Sequence, residues 1–409
     1  MVRFCIDADL LGTEQHLVCK GEDFTWKSAV PANTWHLSGQ IKRDSDWCLD
    51  TLLRLGNVTV DLRPPQRFVT AMEPLLSGSN YQGPVPWRFA MPGKTHRDFV
   101  RALVSQVAVA MDSLPTNYYR GTWVPGNGIL RSLLPARIDV PTWQGLMDAR
   151  VGNVASVQSF RPGPGGFTDT VQYDRFGALT GRLTVTSGPM ILTLKKEYRG
   201  IIQPSSPGGE IVIIDFAALE ARVLLYEAGR RCDEPDLYGM IAKELGYDRK
   251  AVKGAVLCEL YGSSKYTLGR LLGIKEKELN SFMRRVKQHF QTEKLLKRIK
   301  DEFIKSGRFT NRYGRQITVD EPLDHVFINY YAQSSGVDVA LMGFSTLVEQ
   351  MKTEAPSIRP LFVLHDGLFL DVPKEHLQYI DNVKSVKVKG YVQAFPLRTE
   401  RVPPCTTEG

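Results

Sequence analysis

The spacing of apolar residues changes several times along the chain, and each change predicts a different element. Phe99, Leu103, Val107 and Met111 recur every four residues from Thr95 onward, which predicts a helix with one buried face. The region before it is mixed, with short alternating runs such as Val58-Thr59-Val60-Asp61-Leu62 that read as strands. Breaks rich in glycine and proline follow at Arg161 to Gly166 and at Gln203 to Gly209. The unbroken apolar run Ile211-Val212-Ile213-Ile214 predicts a buried strand that ends on Asp215. Ala218 to Ala228 returns to helical character, with Gly229 placed to cap it.

Arg249 to Leu272 predicts a helix bent or ended near Gly262. One long amphipathic helix is expected next, with Phe282, Val286, Phe290, Leu295, Ile299 and Phe303 on one side and lysines and arginines on the others. Asp324 to Met351 is again helical. Leu361 to Val372 predicts a hairpin whose two-residue turn would be Asp366-Gly367.

A length of 409 residues is too great for one simple core and predicts two or three lobes. Hydrophobic content of 43% excludes a disordered chain. The formal charge of +8 directs attention to polyanionic partners. None of the six cysteines forms a CxxC pair or a Cys/His cluster with zinc spacing, so reduced thiols in a cytoplasmic protein are expected. The first residues lack the apolar core of a signal peptide, and no apolar stretch approaches the ~20 residues that span a bilayer. Asp7 and Asp9 read as two solvated acids at a strand end, without the Asp-x-Glu pattern of a proofreading exonuclease.

Two distant carboxylates carry the candidate chemistry. Asp215 at the end of a buried strand could be a turn or cap residue, and Asp366 could be a plain hairpin turn. If their strands were neighbours, the two could share a pair of Mg²⁺ ions. Arg249, Lys253, Leu257 and Tyr261 follow at a constant step of four. On a helix they form one slowly drifting stripe of two cations, an apolar group and a ring, which matches the order of phosphates, sugar and base in a nucleoside triphosphate. Glu220, in a first helical turn, could wall off a ribose 2′-hydroxyl or simply answer the helix dipole. The turn Asn311 to Arg315 could touch phosphate, and Asn329 and Gln333, one helical turn apart, could read minor-groove acceptors.

These segments together resemble family A DNA polymerases. Asp215-Phe216-Ala217-Ala218-Leu219-Glu220-Ala221-Arg222 is similar to the first palm motif of that family. Arg249-x3-Lys253-x3-Leu257-x3-Tyr261-Gly262 is similar to its fingers motif, and His365-Asp366-Gly367 to its last palm motif. Thr180-Gly181-Arg182-Leu183, Tyr313-Gly314-Arg315 and Asn329-x3-Gln333-x4-Asp338 add matches in the same order. Leu257 stands where the family has an aromatic residue, and Gly367 where it usually has Glu.

The resemblance implies an α+β right-hand fold with an antiparallel palm sheet, helical fingers and a thumb. It implies an N-terminal region of unknown role over 1–94, a thumb-like region over 95–172, palm over 173–235 and 310–409, and fingers over 236–309. It further implies template-directed DNA synthesis on primer-template DNA from deoxynucleoside triphosphates. Asp215 and Asp366 would hold the metal ions, and Lys253 would act as proton donor. Arg249, Lys253, Leu257, Tyr261 and Glu220 would bind the nucleotide. Arg182, Arg315, Asn329, Gln333 and His365 would bind the DNA. No proofreading domain is expected, accessory replication proteins are conceivable partners, and the cytoplasm would be that of a host cell if the chain is phage-encoded. A single-subunit RNA polymerase and an inactive polymerase-derived DNA-binding protein are the rival readings.

Overall fold

A computed structural model describes residues 3–405 apart from 39–45, 81–84, 152 and 263–264. The chain divides into two units, Met1–Val124 and Pro125–Gly409.

In the first unit, strands β1 (Arg3–Ile6), β2 (His16–Lys20) and β3 (Asp23–Lys27) form an antiparallel meander. Strand β4 (Trp35–Leu37) joins β1 in parallel, giving the order β3-β2-β1-β4. Helices α1 (Leu49–Leu55), α2 (Gln66–Ser77) and α3 (Gly93–Met111) follow. Helix α3 buries Phe99, Leu103, Val107 and Met111, the stripe that its periodicity marks. Val58 to Leu62 is irregular chain and not a strand. There the Asp61 N–H donates to the Gln106 side chain at 3.0 Å, so a side chain takes the place of a ladder partner.

The second unit is built on a five-stranded antiparallel sheet. Its strands are β5 (Glu210–Phe216), β6 (Arg359–Leu364), β7 (Gly367–Val372), β8 (Ser385–Lys387) and β9 (Ala394–Arg401), in the order β6-β7-β5-β9-β8. Strand β5 is central, and its run Ile211 to Ile214 is buried, which is why it reads as continuously apolar rather than alternating. Helix α4 (Leu219–Glu227) leaves the end of β5 and packs along the later helix α10 (Asp324–Glu354).

Between them lie α5 (Leu237–Leu245), α6 (Arg249–Tyr261), α7 (Lys265–Leu272), α8 (Glu276–Phe290) and α9 (Thr292–Ser306). Helix α6 ends on Gly262 at φ +67°, where a Cβ would lie 2.4 Å from the His325 ring, so the expected break has a steric cause. The single long amphipathic helix expected after it is two helices. Gln291 between them adopts φ +48°, and the step from Phe290 to Leu295 is five residues. A step of five rotates the apolar stripe away from its face, and the left-handed residue restores it in a second helix.

The hairpin turn also differs from expectation. His365 and Asp366 form it, with His365 at φ +55°. Gly367 is the first residue of β7, paired with Leu364 on one side and Asp215 on the other. No helix among the described residues is long and apolar enough to cross a membrane.

Candidate active site

Strand register brings the two aspartates together. Asp215 lies opposite Gly367 on β7 and opposite Arg398 on β9. The Phe216 N–H donates to the Asp366 carbonyl at 3.0 Å, which ties the hairpin turn to the strand end that carries Asp215. A Cβ on Gly367 would come within 3.5 Å of Asp215 Oδ1. Burial, and then the neighbouring Asp366, push the Asp215 carboxyl up to about 7, while Arg398 pulls it down. Burial also raises Asp366, which Arg182 partly offsets. Two half-buried carboxylates, each raised by burial and one of them also by the other's charge, form a site short of positive charge.

Beside this pair is a cleft of about 280 Å³, lined among others by Arg182, Glu220, Leu257, Tyr261, Gln333, His365 and Asp366. A connected set of polar groups crosses it. The Tyr261 O–H donates to Glu220, and Arg182 Nη2 pairs with the same carboxylate at 3.1 Å. The Gln333 amide nitrogen donates to Thr180 Oγ1 at 2.6 Å, and its oxygen accepts from Arg182 Nε at 3.1 Å, an orientation that satisfies both ends. Packing at the turn, and then the Arg182 charge, hold the His365 imidazole below its ordinary value and therefore neutral near pH 7. Burial and the bond to Glu220 raise the Tyr261 phenol, so it stays a donor. The helix that presents Gln333 is anchored one turn further on by buried Asp338, which pairs with Arg175 at 3.1 Å and accepts from Asn311 at 2.8 Å.

Helix α6 presents Arg249, Lys253, Leu257 and Tyr261 on one side, while Ala251, Val252, Ala255 and Val256 face the core. Asp248 caps its start by accepting from the N–H groups of Lys250 and Ala251. Lys253 is exposed and Leu257 half-buried against the cleft. The Arg249 Nε donates to both oxygens of Asp236, at 2.9 and 2.7 Å.

Two of the residues expected to meet DNA lie outside the cleft. Arg315 is buried, and its Nη2 donates to the Arg175 carbonyl at 3.2 Å. Its guanidinium lies so close under Gly181 that a Cβ there would meet it at 2.5 Å. It braces the turn that presents Arg182 instead of opening to a surface. Asn329 is half-buried one turn before Gln333, outside the residues that line the cleft. Sequence reasoning overlooked Asp236, Tyr238 and Arg398. Tyr238 lines the cleft, its phenol pushed up to about 12 by burial. Asp236 and Arg398 act through register and loop placement, for which local sequence carries no signal.

A model of DNA polymerase family A matches residues 170–400, more than half of the chain. The DNA polymerase of Mycobacterium phage L5 is 28% identical over 210 residues, covering 48% of this chain and 34% of that protein. DNA polymerase I of Bacillus caldotenax is 26% identical over 253 residues, covering 54% of this chain and 29% of that protein. The chain thus spans about a third of the length of the curated relatives it matches. The solved POL domain of Pol1 from M. smegmatis, in complex with DNA primer-template and dNTP, matches with a TM-score of 0.45 and 14% identity, over 87% of this chain and 63% of that one.

Proposed function

This chain belongs to DNA polymerase family A, and on that premise we propose that it adds deoxynucleotides to a primer 3′-hydroxyl under the direction of a template. The observation that carries the reading is the register that sets Asp215 beside the hairpin bearing Asp366. Both are oxygen donors of the kind Mg²⁺ prefers, and the burial that raises both carboxyls supports a place where a divalent cation fits. Asp215 and Asp366 would hold the ions. Bound Mg²⁺ would supply Lewis acidity toward the primer hydroxyl and the α-phosphate.

The chain's own side chains divide the remaining tasks. Arg249 and Lys253 would meet the β- and γ-phosphates, and Lys253 would give a proton to the departing pyrophosphate. Tyr261 and Leu257 would bound the sugar and base, with Glu220 beneath the 2′ position. Arg182, Gln333 and neutral His365 would orient the primer end and its base pair. In this reading 173–235 and 310–409 form the palm, 236–309 the fingers, and 95–172 a thumb-like region.

Primer extension with Mg²⁺ and all four deoxynucleoside triphosphates tests the proposal. Asp215→Ala and Asp366→Ala should each abolish extension while duplex binding persists. Full activity in either variant would overturn the assignment. A preference for ribonucleotides in the same assay would favour an RNA polymerase, against which Glu220 in the cleft argues.

A further inference from the structure

We propose that Cys5, Asp7 and His36 of the N-terminal unit form a binding site for a divalent cation of the zinc class. The residues are far apart in sequence, and the sheet gathers them. Cys5 and Asp7 are two positions apart on and just beyond β1, so their side chains share a face. His36 on β4 is the direct partner of Cys5. The Cys5 sulfur, a ring nitrogen of His36 and a carboxylate oxygen of Asp7 all lie within 4.8 Å of one another. Asp7 Oδ1 is 3.0 Å from His36 Nε2 and 3.2 Å from His16 Nδ1.

Asp7 is therefore buried among imidazoles and a thiol, not solvated as its sequence context suggested. Cys5 is fully buried and His36 half-buried.

The donor set selects the ion. A thiol with an imidazole and a carboxylate suits zinc, whereas magnesium and calcium take oxygen ligands. Zinc bonds of about 2.0–2.3 Å separate tetrahedral ligand atoms by roughly 3.3–3.8 Å. The cluster's ligand atoms, within 4.8 Å of one another, lie close to that spacing. His16, at the more open rim, offers a nitrogen as a fourth ligand. Its Nδ1 now accepts a long bond of 3.4 Å from the Ala8 N–H, which a cation would displace at little cost. Binding converts the Cys5 thiol to a metal thiolate and releases one proton to solvent. The ion would cross-link β1 to β4, and through His16 to β2, in a sheet of short strands.

The test uses the full chain carrying Asp215→Asn and Asp366→Asn, which removes the other carboxylate site from the measurement. After chelation and dialysis, the protein is titrated with Zn²⁺ and separately with Co²⁺. The expected result is one tightly held equivalent of Zn²⁺ and, with Co²⁺, a near-ultraviolet thiolate-to-metal band. Cys5→Ser should abolish that band, and His36→Gln should weaken Zn²⁺ binding at least tenfold. X-ray absorption at the zinc edge of the same protein should report a single sulfur neighbour, and needs no variant at the site. A folded protein that gives no such band, a band that survives Cys5→Ser, or a zinc shell without sulfur would each overturn the proposal.

Discussion

Replacing Glu220 by alanine removes a carboxylate that holds two donors across the cleft. Tyr261 donates its hydroxyl proton to it, and Arg182 Nη2 meets it at 3.1 Å. An incoming ribonucleotide would bring its 2′-hydroxyl against this carboxylate and would have to displace at least the Tyr261 bond. A hydrogen bond to a charged group is worth about 1.5–3 kcal/mol. The Arg182 pair adds under about 1 kcal/mol, because solvent reaches the guanidinium. The Tyr261 bond alone therefore makes discrimination against the 2′-hydroxyl fall by roughly 10- to 150-fold in Glu220→Ala, at about 1.4 kcal/mol per tenfold.

Glu220→Gln keeps the shape and loses the charge, so it should lie between wild type and Glu220→Ala. The assay is the ratio of kcat/KM for a deoxynucleotide and its ribonucleotide counterpart on one primer-template with Mg²⁺. Arg182 is partly exposed and accepted by Gln333, so folding should persist, which a thermal melt checks. A ratio that moves by less than threefold in Glu220→Ala would show that the carboxylate does not stand at the 2′ position.

Other expectations follow from the same geometry. The Asp215 carboxyl has its folded-state pKa raised to about 7 from 3.8, so metal-free stability falls as pH rises through that window. Asp215→Asn should raise Tm at pH 8 without divalent ions and erase the increase that Mg²⁺ gives the wild type. Equal Tm values would mean the carboxylate carries no burial cost. Asp236→Ala frees Arg249 from an exposed pair worth under about 1 kcal/mol, so KM for deoxynucleotides should fall by less than about fivefold. A rise in KM would instead show that Asp236 positions Arg249 for substrate. At Gly367 a new Cβ would stand 3.2 Å from Ile213 Cγ2. Gly367→Ala should thus cost about 1 kcal/mol in urea unfolding, with a moderate drop in kcat, and unchanged stability would show that Ile213 moves aside freely.

How much of the site is legible in the sequence depends on whether a residue's role is local. The β5 strand is legible because Ile211 to Ile214 is unbroken and apolar, a pattern that only burial on both faces sustains. The α6 stripe is legible because Arg249 and Lys253 fall on the same row as Leu257 and Tyr261, and that row is fixed by helical geometry alone. Arg315 misleads because a Tyr-Gly-Arg turn says nothing about the Gly181 backbone that closes over its guanidinium. Arg398 is opaque because its place beside Asp215 is set by the register of β9, which depends on the whole segment after β7. Asp7 misleads for a similar reason: His16 and His36 reach it only after β2 and β4 have flanked β1. The Gln291 break lies between. The five-residue step from Phe290 to Leu295 is visible, but its resolution by a left-handed residue is not.

The position of β5 in the sheet has a consequence for synthesis on the ribosome. Its two neighbours, Gly367–Val372 and Ala394–Arg401, are translated long after it, beyond all the intervening helices. Until they emerge, this largely buried apolar strand keeps both hydrogen-bonding edges open, an invitation to wrong pairing between nascent chains. A product that stalls before residue 394 lacks the strand that brings Arg398 beside Asp215. Such a fragment holds both aspartates and every residue of the α6 stripe, yet should be insoluble unless a chaperone shields that ribbon.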